Sequence, residues 1–130
     1  AKSTIKMCTK ISLADLQAIY RGTYGNAADH QTALKILETH SNDDWAPTML
    51  LQLGEPARSF HLYEHGHSGL SDGYLNWLWQ PEPWSRKARQ GPAFQGFAKR
   101  IGMLDYWKRY GWPELCQPAP AKGPDAFVCR

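Results

Sequence analysis

Glycine and proline divide this chain into short segments, and this punctuation limits what it can fold into. The 130 residues include 11 glycines and 9 prolines. Between them, apolar residues recur three or four positions apart, which is the spacing of a helix with one buried face. Alternating β-branched residues do not occur over four or more positions, and Val128 is the only valine. The pattern predicts an all-α fold of short helices joined by tight turns.

The first part of the chain predicts a helical hairpin. Ser12 is a suitable N-cap, and Asp15 stands three residues later, where a capping box places an acid. Apolar residues at helical spacing then continue to Gly25, which suits a helix end. A second helix is expected from about Ala27 to His40.

A second hairpin is expected to follow. Residues 41–44 (SNDD) form a dense N-cap signal before a third helix, Trp45 to Leu53. Gly54 breaks this helix, and Pro56 opens a fourth that runs to Gly66.

Closing helices are predicted in the second half. They comprise an aromatic stretch, Tyr74 to Trp79, then a helix from Pro92 to Gly102 and a last one, Leu104 to Tyr110. Phe94, Phe97 and Ile101 share one face of the middle helix, which should pack against the segment that contains Trp77 and Trp79. Of the six tryptophans and six tyrosines, we expect most in the core and one or two in a groove.

We expect one domain over residues 1–130, with a lead-in (1–11), helical hairpins (12–66), closing helices (74–116) and a tail (117–130). No run approaches the roughly 20 apolar residues that a membrane span needs, so we expect no membrane segment.

A histidine-rich motif, His61-Leu62-Tyr63-Glu64-His65, suggests an alternative function. His61 and His65 share a helix face and could bind Zn²⁺, with Glu64 as the general base of a hydrolase. The favoured interpretation is a polar, exposed helix face, because the chain is too short for that protease architecture. We expect no catalytic residues, no metal and no cofactor.

Positive charge gathers in the second half of the chain. The net charge is +3, of which residues 66–130 contribute +4 and residues 1–65 contribute −1. A basic cluster interleaved with aromatic residues could bind nucleic acid, although a solvated helix face gives the same pattern. The cluster consists of Arg86, Lys87, Arg89, Lys99, Arg100, Lys108 and Arg109. Nucleic-acid binding is therefore kept as an alternative.

Several segments resemble a known repeat family. Residues 53–60 (LGEPARSF) resemble the turn and second helix of a tetratricopeptide repeat, in which a small residue, here Ser59, allows close packing. Residues 75–79, 93–107 and 112–116, with Cys129 in the tail, are similar to the closing segment of bacterial tetratricopeptide regions. Such regions follow winged-helix or adenylate cyclase domains of regulators, often beyond a membrane helix.

The resemblance implies a fold and a function. About two repeat-like hairpins would stack as an α-solenoid with a C-terminal capping segment, and the first helix of each hairpin would line a concave groove. That groove would bind a protein or peptide partner, as a sensory or scaffold domain of a bacterial regulator. The candidate binding residues on these first helices are Tyr20, Tyr24, Asn42, Trp45, Thr48 and Gln52.

The cysteines allow two interpretations. Cys116 and Cys129 bracket a proline-rich stretch with no helix or strand pattern, and a disulfide between them would tie that tail to the last helix. Cys8 would then be the odd thiol; the alternative is three unrelated thiols. The resemblance to regions beyond a membrane helix favours the disulfide and a periplasmic or extracytoplasmic location. A cytoplasmic location is the alternative.

Overall fold

The structure, a computed structural model, describes residues 9–66 and 72–130 and is mainly helical. Its helices are α1 (Leu13–Tyr24), α2 (Ala27–Thr39), α3 (Ala46–Gln52), α4 (Pro56–His65), α5 (Asp72–Leu78), α6 (Pro83–Gln90), α7 (Pro92–Arg100) and α8 (Met103–Tyr110). Two short strands follow, β1 (Cys116–Pro118) and β2 (Phe127–Cys129), with a 3₁₀ turn at Pro120–Lys122 between them. The expected all-α character is thus confirmed, with a small sheet added. None of the described helices is long and apolar enough to cross a membrane.

Helices α1 and α2 form a closely packed hairpin. The Ser12 hydroxyl accepts a hydrogen bond from the Asp15 amide, so the predicted N-cap is present. A Cβ atom at Gly22 would lie 2.4 Å from the Cβ of Ala33, far inside contact distance. A side chain at position 22 would therefore force the two helices apart.

The hairpin of α3 and α4 closes around a buried serine. The Ser59 hydroxyl donates to the main-chain oxygen of Pro47, in the first turn of α3. It accepts from the hydroxyl of Tyr74, in α5, over 2.6 Å. Burial raises the pKa of the Tyr74 phenol, so this hydroxyl stays protonated and able to donate. Ser59 thus joins three helices at a point where a larger side chain has no space.

Two hydrophobic clusters hold these elements together. The smaller lies among α1, α2 and α3 and includes Ile11, Ile19, Ala33, Leu34, Leu37, Ala46, Leu50 and Leu53. The larger joins α4 to α8 and the sheet and includes Phe60, Tyr63, Tyr74, Leu78, Phe94, Phe97, Leu104, Trp107 and Phe127.

The predicted face of α7 lies in the larger cluster. Phe94 and Phe97 are fully buried, and Phe97 stacks on Phe60 with ring centroids 4.3 Å apart. Trp79 meets Phe94 edge to face, as expected. Trp77 does not pack with them, because its ring lies against Trp84 instead.

Only one tryptophan is fully within the core. Trp107 is buried, whereas Trp79, Trp84 and Trp112 pack against the larger cluster at its border. Trp45 is 39% exposed. Of the tyrosines, Tyr63 and Tyr74 are buried and the other four are exposed. The expectation that most of the tryptophans and tyrosines lie in the core was therefore wrong.

Helix α6 was not predicted. Pro81 and Pro83 suggested the end of an aromatic stretch, but Pro83 occupies the first turn of a new helix, where its missing N–H is harmless. The helix buries Ser85, Ala88 and Arg89, a face without large apolar residues. Hydrophobic spacing therefore gave no signal for it.

The prediction that the tail lacks strands was wrong. Strands β1 and β2 pair antiparallel, with Cys116 opposite Cys129 and Gln117 opposite Val128. The disulfide between Cys116 and Cys129 is confirmed. Phe127 is buried, and its ring meets that of Trp107 edge to face. The tail is thus anchored by a covalent bond and an aromatic contact. Cys8 lies outside the described residues.

The end of the expected lead-in is also anchored. The Asp43 carboxylate accepts hydrogen bonds from the Thr9 hydroxyl and the Lys10 amide, at 2.7 and 2.8 Å. It also accepts from the Trp45 amide, and Ile11 is buried in the smaller cluster. Residues 9–11 are therefore fixed to the start of α3 and not loose, whereas residues 1–8 lie outside the described residues.

Truncating the buried ring of α7 should reduce stability strongly. We expect Phe97→Ala to lower the free energy of unfolding by about 3–5 kcal/mol, because it leaves a cavity beneath Phe60. Urea denaturation followed by circular dichroism measures this loss. Leu13→Ala, at a site 66% exposed, is the control and should change stability by less than about 0.5 kcal/mol. A loss under about 1 kcal/mol for Phe97→Ala would contradict the burial of this face.

Removing the disulfide should free the tail. We expect the double variant Cys116→Ala, Cys129→Ala to lose about 3 kcal/mol, the chain-entropy value for a loop of this size. Thiol titration of the denatured, unreduced protein made in an oxidising compartment should find one free thiol per chain. Three free thiols under these conditions would be incompatible with the bond.

Candidate functional site

Helix α1 presents apolar residues on two opposite sides. Ala18, Ile19 and Gly22 face inward and are buried. Leu13, Tyr20 and Tyr24 form an outward stripe, exposed by 66%, 66% and 74%, and Leu16 lies between them at helical spacing. An amphipathic helix normally presents only its inward side as apolar, so the outward stripe is unaccounted for by the fold.

The stripe borders a groove between α1, α3 and α6. The groove encloses about 260 Å³ and is lined by Leu16, Ile19, Tyr20, Thr23, Tyr24, Met49, Gln52 and Trp84. The Tyr20 and Tyr24 rings lie 4.9 Å apart on one wall. Trp84 comes from α6 and is itself supported by Trp77, with ring centroids 5.7 Å apart. Two sides of the groove therefore carry aromatic rings.

Among the residues that the structure describes, no charged side chain lines this groove. Its polar groups are the tyrosine hydroxyls, the Gln52 amide and the Thr23 hydroxyl, which donates to the main-chain oxygen of Ile19. The groove thus combines apolar surface with a few neutral hydrogen-bonding groups. It can hold an apolar or aromatic side chain and form hydrogen bonds with a nearby main chain.

Three of the six predicted binding residues meet in this groove, namely Tyr20, Tyr24 and Gln52. Trp45 is exposed just before α3, four residues before Met49 and seven before Gln52, so it lies on the same side of that helix. Their binding role stays a prediction.

The other two predicted residues lie elsewhere. Thr48 is 5% exposed, because it falls on the inward side of α3, so it cannot contact a partner without rearrangement. Asn42 is exposed in the turn between α2 and α3 and does not line the groove.

Sequence reasoning missed Leu16, Met49 and Trp84 as groove residues. Leu16 and Met49 are partly buried at the edge of the smaller cluster, and helical spacing alone does not separate such border positions from core positions. Trp84 belongs to α6, a helix without a hydrophobic pattern. The high local density of tryptophan was the only available signal for it.

A second groove lies on another side of the molecule. It encloses about 560 Å³ and has an apolar floor that includes Leu34, Leu50 and Leu62. Arg58 and Glu38 stand at its rim and approach to 3.7 Å. Their ion pair is exposed and therefore weak.

The histidine-rich motif carries two exposed imidazole rings and a carboxylate that is already paired. The Arg100 guanidinium of α7 binds both oxygens of the Glu64 carboxylate, with Nε at 3.0 and 2.9 Å and Nη2 at 2.8 Å. His61 and His65 lie side by side with ring centroids 4.5 Å apart. Glu64 could act as a general base only if this bidentate ion pair with Arg100 were broken. The described residues contain no group of three or more metal-ligating side chains placed to hold an ion.

Four of the seven side chains in the basic cluster form ion pairs or hydrogen bonds within the protein. Lys99 and Lys108 both bind the Asp125 carboxylate. Arg100 binds Glu64, as described above, and Arg89 is buried. Within the described residues, Arg86, Lys87 and Arg109 are the exposed members of the cluster that make no ion pair, and the buried Arg89 binds main-chain oxygens instead of a carboxylate side chain. The free charge available for nucleic acid is therefore smaller than the sequence suggested.

Comparison of the chain with protein-family models, with curated proteins and with solved structures finds no match. A functional assignment therefore depends on the surfaces of the molecule itself. Among them, the groove between α1, α3 and α6 combines strongly exposed aromatic residues with a supporting wall from another helix.

The lysine pair should give Asp125 an unusual titration. The Lys108 and Lys99 ammonium groups lower the pKa of Asp125 to about 2, from about 3.9 in an unfolded chain. The folded state therefore binds this proton less readily, and the carboxylate stabilises the fold above about pH 4. This contribution should disappear as the pH falls through about 2.

Carbon-detected NMR of the Asp125 carboxyl during acid titration measures this pKa. In Asp125→Asn, the free energy of unfolding should no longer fall as the pH drops from about 4 to about 2 because of this carboxylate. The control variant Asp105→Asn, at a site without a described ion pair, should keep that fall. A midpoint for Asp125 near 4 would show that the lysines do not hold the carboxylate.

Proposed function

We propose that this domain binds a peptide segment of a partner protein in the groove between α1, α3 and α6. The observation that supports this most is the pair of exposed rings, Tyr20 and Tyr24, facing a groove whose other wall carries Trp84. Exposed contiguous apolar surface on a folded domain marks an interaction site more often than a random feature.

The residue types suit recognition of a peptide. Tyrosine and tryptophan dominate interface hot spots, because they bury large rigid areas and retain a hydrogen-bonding group. Tyr20, Tyr24 and Trp84 provide such anchors, and Gln52 offers an amide to a peptide main chain. Burying one aromatic or aliphatic side chain of the partner against these rings would supply most of the affinity.

The size of the groove favours a peptide over a free small molecule. Its volume of about 260 Å³ is below the roughly 300–1,000 Å³ of ordinary small-molecule pockets. It holds one or two side chains, while the rest of a peptide would lie along the exposed stripe from Leu13 to Tyr24. Charged peptides gain little here, because the groove is neutral.

The arrangement of the helices supports a repeat-like binding surface. The pairs α1–α2 and α3–α4 are hairpins, α3 also contacts α6, and α4 contacts α7. Helices α1, α3 and α6 would then be the first helices of successive hairpins, as in a tetratricopeptide solenoid whose first helices line the binding groove. We assign the domain to a bacterial regulator, as a sensory or scaffold part. The Cys116–Cys129 disulfide supports a periplasmic or extracytoplasmic location.

Peptide binding should depend on the groove tyrosines. A displayed random-peptide library selected on the immobilised protein provides ligands, and fluorescence titration of one selected peptide gives its affinity. We expect Tyr20→Ala or Tyr24→Ala to weaken binding at least about tenfold, the effect of losing a hot-spot ring. Trp84→Phe should weaken it less, because a ring remains.

The structure offers a matched control for these variants. Tyr106 and Tyr110 on α8 form an equally spaced exposed pair, with ring centroids also 4.9 Å apart. Tyr106→Ala and Tyr110→Ala should leave the affinity unchanged. Selection of no peptide, or equal loss of affinity in the α8 variants, would refute the proposed site.

A further inference from the structure

The groove between α1, α3 and α6 carries several hydrogen-bond donors that the fold does not use. They are the hydroxyls of Tyr20 and Tyr24, the side-chain amide of Gln52 and the indole N–H of Trp84. Among the described residues, none of these groups is hydrogen-bonded within the protein. The Trp84 nitrogen reaches solvent, because no buried side-chain nitrogen in that part of the chain lacks a hydrogen bond. The groove therefore suits a ligand with many free acceptors.

The helical walls limit how a peptide main chain can bind here. Helices α1, α3 and α6 pair their main-chain groups internally, so they offer no open edge to which a peptide could add as a strand. A partner helix also pairs its own main chain, so it would cover the free donors of the groove without matching them, which is costly. In a polyproline II segment the main chain has no internal hydrogen bonds, so its carbonyl groups are free to accept.

Proline matches the other properties of the groove. Because proline has no main-chain N–H, a proline-rich segment presents acceptors with few donors. Its compact, uncharged ring packs against aromatic side chains, and grooves lined by such side chains are the usual binding sites of polyproline II segments. The groove provides aromatic rings on two sides and no charge among its described lining residues. Its volume of about 260 Å³ holds one or two such rings.

The exposed stripe of α1 has a suitable length. At a helical rise of about 1.5 Å per residue, the distance along the axis from Leu13 to Tyr24 is about 16 Å. A polyproline II segment rises about 3.1 Å per residue, so five or six residues span the stripe. Such a segment is stiff before binding and loses little conformational entropy on it, which helps a shallow groove to bind.

We propose that the ligand of this groove is a proline-rich segment in the polyproline II conformation, an inference that rests on the proposed peptide site. Its proline rings pack against Tyr20, Tyr24 and Trp84. Its carbonyl oxygens accept hydrogen bonds from the two tyrosine hydroxyls and from Gln52.

NMR titration with blocked decaproline tests this assignment. Decaproline forms polyproline II in water and carries no charge and no aromatic ring. We expect the resonances of residues 16–24 and of Trp84 to shift and to saturate. The enantiomer built of D-proline has the same composition and stiffness but the opposite hand. It should bind more weakly, because it cannot place both its rings and its carbonyl groups against the same side chains.

Variants that keep the ring test the use of the donors. Tyr20→Phe and Tyr24→Phe, both at exposed positions, should each weaken decaproline binding about three- to tenfold, the effect of losing one hydrogen bond. Tyr106→Phe and Tyr110→Phe, in the exposed pair on α8, are the matched controls and should leave the affinity unchanged. Unchanged affinity in both α1 variants would overturn the inference, because the hydroxyls would then donate to nothing in the ligand.

The outcomes separate this inference from the proposed function. Selected library peptides that need Tyr20 and Tyr24 but are not enriched in proline, together with no binding of decaproline, would overturn the proline-rich ligand and leave the peptide site intact. Absence of both library ligands and decaproline binding would refute both proposals. Equal affinity for the two enantiomers would also overturn the inference, because binding would then not depend on the conformation of the peptide.

Discussion

The larger core depends on the guanidinium of Arg89. Helix α5 ends at Leu78 with main-chain oxygens that no further helical turn can satisfy, and Arg89 donates to those of Leu78 and Gln80. The same side chain donates to Arg130, next to the end of β2. One buried cation thus joins α5, α6 and the tail, and it bears a positive charge near the negative end of a helix, where the dipole favours it. Without it, three main-chain oxygens would lack their partner.

Local signals in the sequence predicted the hairpins but not the parts that depend on distant contacts. The Ser12 cap and the Gly25 stop predict α1 because a cap involves residues only three or four positions apart. Helix α6 gave no such signal, since its buried face consists of Ser85, Ala88 and Arg89. The tail strands are three residues each and pair across a proline-rich loop, so they have no pattern of their own. From the sequence, the Cys116–Cys129 disulfide was one of two open interpretations, and three unrelated thiols was the other.

The residues of the candidate peptide site likewise differ in whether the sequence could predict them. Tyr20 and Tyr24 were named because the resemblance makes the first helix of each hairpin line a groove, and the structure places both at the groove beside α1. Thr48 was misplaced because α3 is only seven residues long, and the side of so short a helix that faces inward depends on α4 and Ser59. Trp84 reaches the groove only through the contact of α6 with α3.

The bond between Cys116 and Cys129 makes the intervening segment a covalent ring. Lys122 is exposed on the 3₁₀ turn within that ring and is the kind of position that a trypsin-like protease cleaves. A cut there opens the ring but releases no fragment, because the two ends remain joined through sulfur. The nicked protein would run as one species without reductant and as two with it. The disulfide would thus keep the segment that carries the buried Phe127 attached to the protein after such a cut.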